Sequence, residues 1–420
     1  MPATLPAAIM RRALSTSVSA LPYRIRAPLA RLRASKDEQP AFLAGGLGDG
    51  ESLEGAATYP DYVALALRSR VYDNLSETPL QHLPALSERL DATVHLKRED
   101  LLPTFTFYAR CAINDLSSYR AAGETRQLIT SSVGSRGHAL AWAANRLGMR
   151  LTVVMPSVTP ASRREAVQRL GATVLIRGTT VVEAHAEAAA LATAENLVPV
   201  GTHERPPVVA ACATVGLEIL RQHGAAVAAA AAPASSGMGG SSGGGGGDGG
   251  SQSSSRSMPQ LDAVFVSVGG GSLLAGVASA IKNTSPHTRV IAVEPRNADV
   301  LSRSLLCGHR VTDEQRAGEQ GAEGVFVSQI GPEIFRVCDA LVDDVLLVDD
   351  ADILAAVQDT FLDTRAVLEP AGAIALAGLK RHAAAHPTID TPPTYVAIGS
   401  DANNVELSWL AAAAAASAKG

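Results

Sequence analysis

The chain has 420 residues, with 36 Lys and Arg against 41 Asp and Glu for a formal net charge of -5, and hydrophobic residues make up 46%. At ~150 residues per domain this length gives two to three structural units, and the charge balance lacks the basic surplus of a nucleic-acid binder. No uninterrupted run of ~18 apolar residues occurs, which argues against a membrane-spanning helix.

The first 34 residues carry Arg11, Arg12, Arg24, Arg26, Arg31 and Arg33, several Ser, and no Asp or Glu before Asp37. This is the composition of an organelle transit peptide, with the mitochondrion favoured and the plastid as the alternative destination. Residues 1–57 are read as such an arm, or as a merely disordered one.

Short apolar runs then alternate with helical patterns. Strands are expected over 126–130, 151–155 and 173–176, with helices over 139–147 and 162–170 between them. Such alternation indicates βαβ units around a parallel sheet. Gly148 and Gly171 each follow a helical stretch and precede a strand, where a helix-terminating glycine belongs.

From Gly224 to about Gln260 the chain runs through Ala, Gly and Ser repeats that bury too little apolar surface to offset chain entropy. Patterned sequence resumes directly beyond it, so 224–260 is expected to be a disordered insertion within a domain. Further strands are expected at 263–268, 290–293 and 395–398. The economical architecture is α/β, with two domains and a crevice between them. Residues 58–126, 205–223 and 261–412 would form the larger domain, 127–204 the smaller, and 413–420 a disordered tail.

Cys111, Cys212, Cys307 and Cys338 lie far apart without a CxxC pair, and the ten His form no cluster at ligand spacing. Neither a zinc site nor a disulfide framework is expected, and the cysteines are read as buried or incidental thiols.

The strongest local signal is the segment Val264 to Ala278, a strand leading through Gly269-Gly270-Gly271-Ser272 into an apolar helix beginning near Leu273. Freed backbone N–H groups at the positive end of a helix dipole make a phosphate cradle. A tight turn without a ligand is the alternative.

Thr78-Pro79-Leu80-Gln81, Leu96-Lys97-Arg98-Glu99-Asp100 and this glycine loop occur in that order. They are followed by Val293-Glu294-Pro295, Glu323-Gly324-Val325, Arg365 to Ala373 and Ser400-Asp401-Ala402-Asn403. On these motifs the chain resembles the fold-type-II pyridoxal phosphate (PLP) enzymes, specifically the threonine dehydratase branch, and is similar also to serine racemases. The resemblance covers about Asp61 to Leu410. It implies a two-domain fold with the cofactor in the crevice, PLP as cofactor, and an ancestral deamination of L-threonine to 2-oxobutanoate and ammonia. A small amino acid or a phosphorylated ligand is the implied small-molecule partner. A homo-oligomer is implied too, or a hetero-oligomer with an active paralogue. The chain stops where biosynthetic members continue into a regulatory domain, so isoleucine feedback by that route is not expected.

The family holds its cofactor aldehyde on a lysine in a Ser-Phe-Lys-x-Arg-Gly-Ala segment. Here that segment reads Thr106-Phe107-Tyr108-Ala109-Arg110-Cys111-Ala112, with Tyr108 at the lysine position. A phenol cannot form a Schiff base, and with an ordinary pKa near 10 it is a poor base at neutral pH. Among the five lysines, Lys36, Lys97, Lys282, Lys380 and Lys419, only Lys97 is placed to substitute. The family's Ser-x-Gly-Asn-His loop reads Ser132-Val133-Gly134-Ser135-Arg136, with Ser135 at the Asn position and Arg136 at the His position. Val133 stands where racemases carry a Ser base.

The resemblance therefore assigns cofactor contacts to Phe107, Ser135, Gly269, Gly270, Gly271, Ser272, Leu273 and Ser400, with Asp401 in an alternative register. Substrate contacts fall to Ser132, Gly134 and Arg136. A divalent cation would rest on Glu294 and the Ala298 carbonyl, but Val300 falls at the second carboxylate position and Asp299 would need a shifted backbone. Scaffold motifs are kept while the groups around the aldehyde and substrate are altered together. The expectation is a dehydratase-family protein with a degenerate site, catalytically impaired or a pseudoenzyme. The alternatives are a working PLP ammonia-lyase acting on threonine or serine, a regulatory subunit of one, and an enzyme with a new reaction in the old cleft.

Overall fold

The computed structural model describes residues 60–231, 260–313, 327–388 and 391–405. The transit-like arm, most of the Ala/Gly/Ser insertion, Glu323-Gly324-Val325, Lys36, Lys419 and the 413–420 tail lie outside the described residues.

In chain order the elements are α1 (Tyr62–Leu67), β1 (Leu80–His82), α2 (Pro84–Leu90), β2 (Thr93–Arg98), α3 (Tyr108–Ala121), β3 (Leu128–Ser131) and α4 (Ser135–Leu147). They continue with β4 (Leu151–Met155), α5 (Ala161–Arg169), β5 (Thr173–Ile176), α6 (Val181–Ala194), β6 (Val198–Pro199) and α7 (Pro206–Ala231). The last set is β7 (Leu261–Ser267), α8 (Ser272–Thr284), β8 (Arg289–Pro295), α9 (Val300–Cys307), α10 (Pro332–Leu341), β9 (Asp344–Val348), α11 (Asp350–Thr364), α12 (Pro370–Ala385) and β10 (Thr394–Gly399).

Two sheets organise the chain. Strands β3 to β6 form a four-stranded parallel sheet in the order β5-β4-β3-β6, drawn from one contiguous stretch of sequence. The other six form a sheet in the order β1-β2-β10-β7-β8-β9, parallel except for the β1 edge. β4 and β9 are buried along their whole length, which is why they are mostly apolar and, apart from Thr152 and Asp344, do not alternate with polar residues.

Local sequence explains the punctuation. Gly148 caps α4 with φ of 67° and Gly171 follows α5 with φ of 84°, both in the left-handed region that glycine enters without a Cβ penalty. Thr180 and Glu183 form a reciprocal capping box at the start of α6. The Ala-rich stretch after Gly224 departs from the sequence expectation, because α7 carries on through it to Ala231. Alanine has the highest helix propensity, and a helix already nucleated on Pro206–Ile219 extends through it at little cost.

α8 packs against α7 at close range. A Cβ on Gly276 would lie 2.5 Å from both Cys212 Cβ and the Val209 carbonyl oxygen, so the crossing requires glycine there. Val264, Val266, Leu274, Val277, Val209 and Ile219 share this core, each fully buried, and each such side chain contributes roughly 1.5–3 kcal/mol by leaving water. The packing fixes where the glycine turn between β7 and α8 points.

Candidate active site

The Gly269–Ser272 turn leaves β7 and opens α8, with Gly271 at φ of 84° as the N-cap. A Cβ on Gly271 would meet Ile334 Cγ2 at 2.5 Å, and one on Gly270 would meet the His203 ring at 2.6 Å. Ser272 and Leu273 are buried, and their N–H groups precede the first intrahelical bond, Ala275 N to Gly271 O at 2.9 Å. The turn therefore presents backbone donors at a positive helix end, packed so closely on His203 and Ile334 that only glycine fits at 270 and 271 without a shift.

α3 begins beside it. Phe105 to Phe107 are pinned to the segment after β10 by Phe107 N to Ser400 O at 3.0 Å and Ala402 N to Phe105 O at 2.8 Å. Tyr108, the first residue of α3, lies against Phe107 with ring centroids 4.1 Å apart and planes tilted by 31°, and its ring lies 6.2 Å from that of His203. Burial pushes its phenol further above the ordinary value, so it is no base at neutral pH.

The loop before α4 folds onto itself and across the crevice. Ser132 Oγ accepts the Gly137 N–H at 3.0 Å, capping α4. Ser135 Oγ donates to Asp401 Oδ1 at 3.0 Å and accepts from Asn404 Nδ2 at 2.9 Å. A Cβ on Gly134 would come within 3.2 Å of that same Asn404 amide. Burial pushes the Asp401 carboxyl up to about 7. Ser400 is buried with its Oγ 3.4 Å from Ser267 Oγ. The two registers considered from sequence thus place two groups here: Ser400 faces β7, and Asp401 faces the Ser135 loop.

Arg136 Nη1 meets His203 Nε2 at 3.0 Å, and Arg136 Nη2 donates to Ser131 O at 3.2 Å. Burial, helped by Arg136, pushes His203 down to about 3, so the imidazole is neutral and accepts the guanidinium hydrogen bond. Tyr108, Arg136, His203 and Cys111 line a cavity of about 20 Å³, room for about one water molecule. Sequence alone gives no hint of His203, since a lone His in a loop carries no signal.

Lys97 does not reach this cavity's lining. Its ammonium donates to Glu218 Oε2 at 2.5 Å, Thr78 O at 2.6 Å and Gln222 Oε1 at 3.0 Å, which uses all three of its hydrogens. Arg110, also fully buried, bridges Glu218 to Glu99, with Nε 2.7 Å from Glu99 Oε2. The expectation that Lys97 could stand in for the missing lysine is corrected by this geometry: the amine is locked in a closed, charge-neutral network. Lys282 and Lys380 are likewise paired, with Asp343 at 2.6 Å and Asp359 at 2.5 Å.

At the residues to which the resemblance assigns a doubtful divalent cation, Glu294 is engaged by backbone N–H groups. Both Glu294 oxygens accept N–H bonds from the first turn of α9, Leu301 at 2.9 Å and Ser302 at 2.8 Å. Burial pushes that carboxyl up to about 8. Asp299 pairs with Arg303 at 3.0 Å, and Ala298 N bonds back to Pro295 O. Among the described residues no group of three His, Cys, Asp or Glu is placed to hold a metal ion.

The donor set fits one end of PLP and not the other. Gly269 to Leu273 offer an anion cradle, while among the described residues no lysine lines the cavity beside Tyr108.

The family model described as "Pyridoxal-phosphate dependent enzyme" matches residues 71–246 and 252–399. The mitochondrial threonine dehydratase of Schizosaccharomyces pombe is 39% identical over 346 residues, covering 82% of this chain and 52% of that protein. The biosynthetic L-threonine dehydratase of Escherichia coli is 36% identical over 340 residues, covering 81% and 59%. The processed form of threonine deaminase isoform 2 from Solanum lycopersicum superposes with a TM-score of 0.74 at 31% identity, covering 91% of this chain and 96% of that one. The chain spans about half the length of the curated relatives it matches. With a glycine turn between β7 and α8 and this extent of matching, the chain belongs to the family of pyridoxal-phosphate dependent enzymes and is similar within it to threonine dehydratases.

Proposed function

We propose that this chain is a threonine dehydratase-family protein that keeps a noncovalent cradle for PLP or a phosphorylated ligand and has lost the lysine-driven elimination of its relatives. One observation carries the reading: Tyr108 opens α3 where the family's lysine would stand, while Lys97 spends its three hydrogens on Glu218, Thr78 and Gln222.

In this reading the N–H groups of Gly270 to Leu273 hold the phosphate. Phe107 and Ser135 flank the ring, and Ser400 or Asp401 faces its nitrogen. Ser132 and Gly134 supply polar backbone for a substrate carboxylate, and Arg136 supplies a cation. Bound PLP supplies an electron sink for carbanions at an amino acid Cα. Tyr108 cannot complete that chemistry, because a phenol above its ordinary pKa neither anchors the aldehyde nor shuttles the Cα proton. The arginine-rich first 34 residues, together with the mitochondrial naming of the yeast relatives, support residence in the mitochondrion.

The test is PLP titration of the full chain by absorbance, followed by borohydride reduction, peptide mapping and a 2-oxobutanoate assay with L-threonine. Saturable binding that dialysis reverses, no reduced adduct and no turnover are expected. A reduced adduct on any lysine, or turnover comparable to a lysine-bearing dehydratase, would sink the reading in favour of a working ammonia-lyase. Absence of any PLP binding would sink the cradle and favour a partner subunit of an active paralogue.

A further inference from the structure

Cys111 and Cys212 are separated by 101 positions in sequence, yet their Sγ atoms lie 3.3 Å apart. Cys111 sits one turn into α3, and Cys212 lies in the second turn of α7. Both are buried, yet Cys111 also lines the cavity shared with Tyr108, Arg136 and His203. The thiols therefore face each other at the point where these two helices meet, with one of them on a space of about one water molecule.

From this we infer that Cys111 and Cys212 form a reversible disulfide across the wall of the cleft when hydrogen peroxide reaches Cys111. The step balances as follows. Cys111 Sγ attacks hydrogen peroxide, the O–O bond breaks, and a sulfenic acid and one water form. Cys212 Sγ then attacks that sulfur, the S–O bond breaks, and a second water leaves with the disulfide in place. Two thiol hydrogens and two electrons pass to one peroxide. The hydrogen bond between the two sulfurs, together with burial, holds Cys111 well above the ordinary thiol range, so little thiolate is present and the first step is slow. The resolving step is fast by comparison, since the partner is already in contact.

The closing distance is small for a side-chain rotation. A bonded pair needs ~2.05 Å between sulfurs, about 1.2 Å less than the separation here. Disulfide formation is independent of the proposed loss of catalysis: it needs the two sulfurs and the cavity alone.

The experiment uses the full chain with exposed Cys307 changed by Cys307→Ser, which removes the thiol open to intermolecular pairing. The protein is held with hydrogen peroxide, denatured, alkylated and mapped by mass spectrometry, with buried Cys338 as the internal control. The expected result is loss of two of the three remaining thiols, a linked peptide pair containing Cys111 and Cys212, and recovery of both thiols with dithiothreitol while Cys338 stays alkylatable throughout. Recovery of Cys111 and Cys212 as free thiols, after an exposure that oxidises Cys307 in the unaltered chain, would overturn the inference. So would sulfinic acid on either residue without a linked peptide. Because the readout is made on native Cys111 and Cys212, no core variant has to fold.

Discussion

Ser135 Oγ donates to Asp401 Oδ1 across 3.0 Å, tying the loop before α4 to the turn after β10. One residue belongs to the segment feeding the four-stranded sheet and the other to the end of the six-stranded one. Their bond is thus a direct clasp over the crevice, and it rests on a carboxyl held up at about 7 by burial.

The clasp makes stability depend on pH. A carboxyl raised from 3.8 to about 7 binds its proton more tightly in the folded state, so its contribution is full below 3.8 and is lost as pH rises through about 7. Asp401→Asn keeps an oxygen for Ser135 to donate to and removes the charge. Urea titrations at pH 8 are expected to show it more stable than the parent, by up to about 4 kcal/mol. Equal stability of the two at pH 8 would mean that Asp401 ionises without cost.

Lys97 makes the opposite kind of pair. Lys97 and Glu218 are both buried and bonded at 2.5 Å, and removing one member of such a pair leaves an uncompensated charge. Lys97→Met should lower unfolding free energy by about 3 kcal/mol, because Arg110 still covers part of Glu218. The same variant should leave PLP binding unchanged. A loss of PLP binding without loss of stability would place Lys97 in the cleft after all.

At the crossing of α7 and α8, Gly276→Ala is expected to destabilise by about 1–3 kcal/mol through overpacking, since its Cβ would lie 2.5 Å from Cys212 Cβ. Thermal unfolding would read this directly. Gly270→Ala, whose Cβ would meet His203, should instead weaken PLP or inorganic phosphate binding with a smaller change in stability. A Gly270→Ala protein that binds phosphate as well as the parent would show that the turn is structural only.

Restoring the lysine alone is not expected to restore the chemistry. Tyr108→Lys supplies an amine, yet Ser135 remains clasped to Asp401 and Arg136 to His203. It should gain a borohydride-reducible PLP adduct while threonine turnover stays about 10²-fold or more below that of a lysine-bearing dehydratase, for want of positioned partners. Full turnover from this one change would show that only the lysine had been lost.

His203 is lowered from 6.5 to about 3 by burial and by Arg136. Its contribution to stability is complete above 6.5 and is lost as pH falls toward about 3. Its imidazole NMR signals should show no titration between about pH 5 and 8, and Arg136→Gln should bring that titration back toward the ordinary range.

Much of this arrangement is legible from residues alone. The glycine run after Val264-Phe-Val-Ser-Val marks strand, turn and helix in the right order, because freedom at positive φ, buried β-branched residues and a small-residue helix all leave distinct traces. Other features are not legible. β9, Asp344–Val348, holds a four-residue apolar run between Asp344 and Asp349, and so short a run shows no period to separate it from helix. The proximity of Arg136 to His203, and of Cys111 to Cys212, depends on how helices cross, which local sequence does not encode. Lys97 reads as a candidate because residue type is visible in a sequence and hydrogen-bond saturation is not.

The position of β10 has a consequence for biosynthesis. This strand, residues 394–399, lies between β2 and β7 in the six-stranded sheet, so β2 has no neighbour on that flank until some 300 further residues have been made. The β3–β6 sheet, in contrast, is encoded in one stretch ending at Pro199 and can close while translation continues. A ribosome stalled with residue 380 at the exit would therefore carry one sheet folded and the other split into two unpaired halves with exposed edges. In that state a holding chaperone would bind the nascent chain, and emergence of residues 394–399 would join the two halves of the larger sheet in a single step.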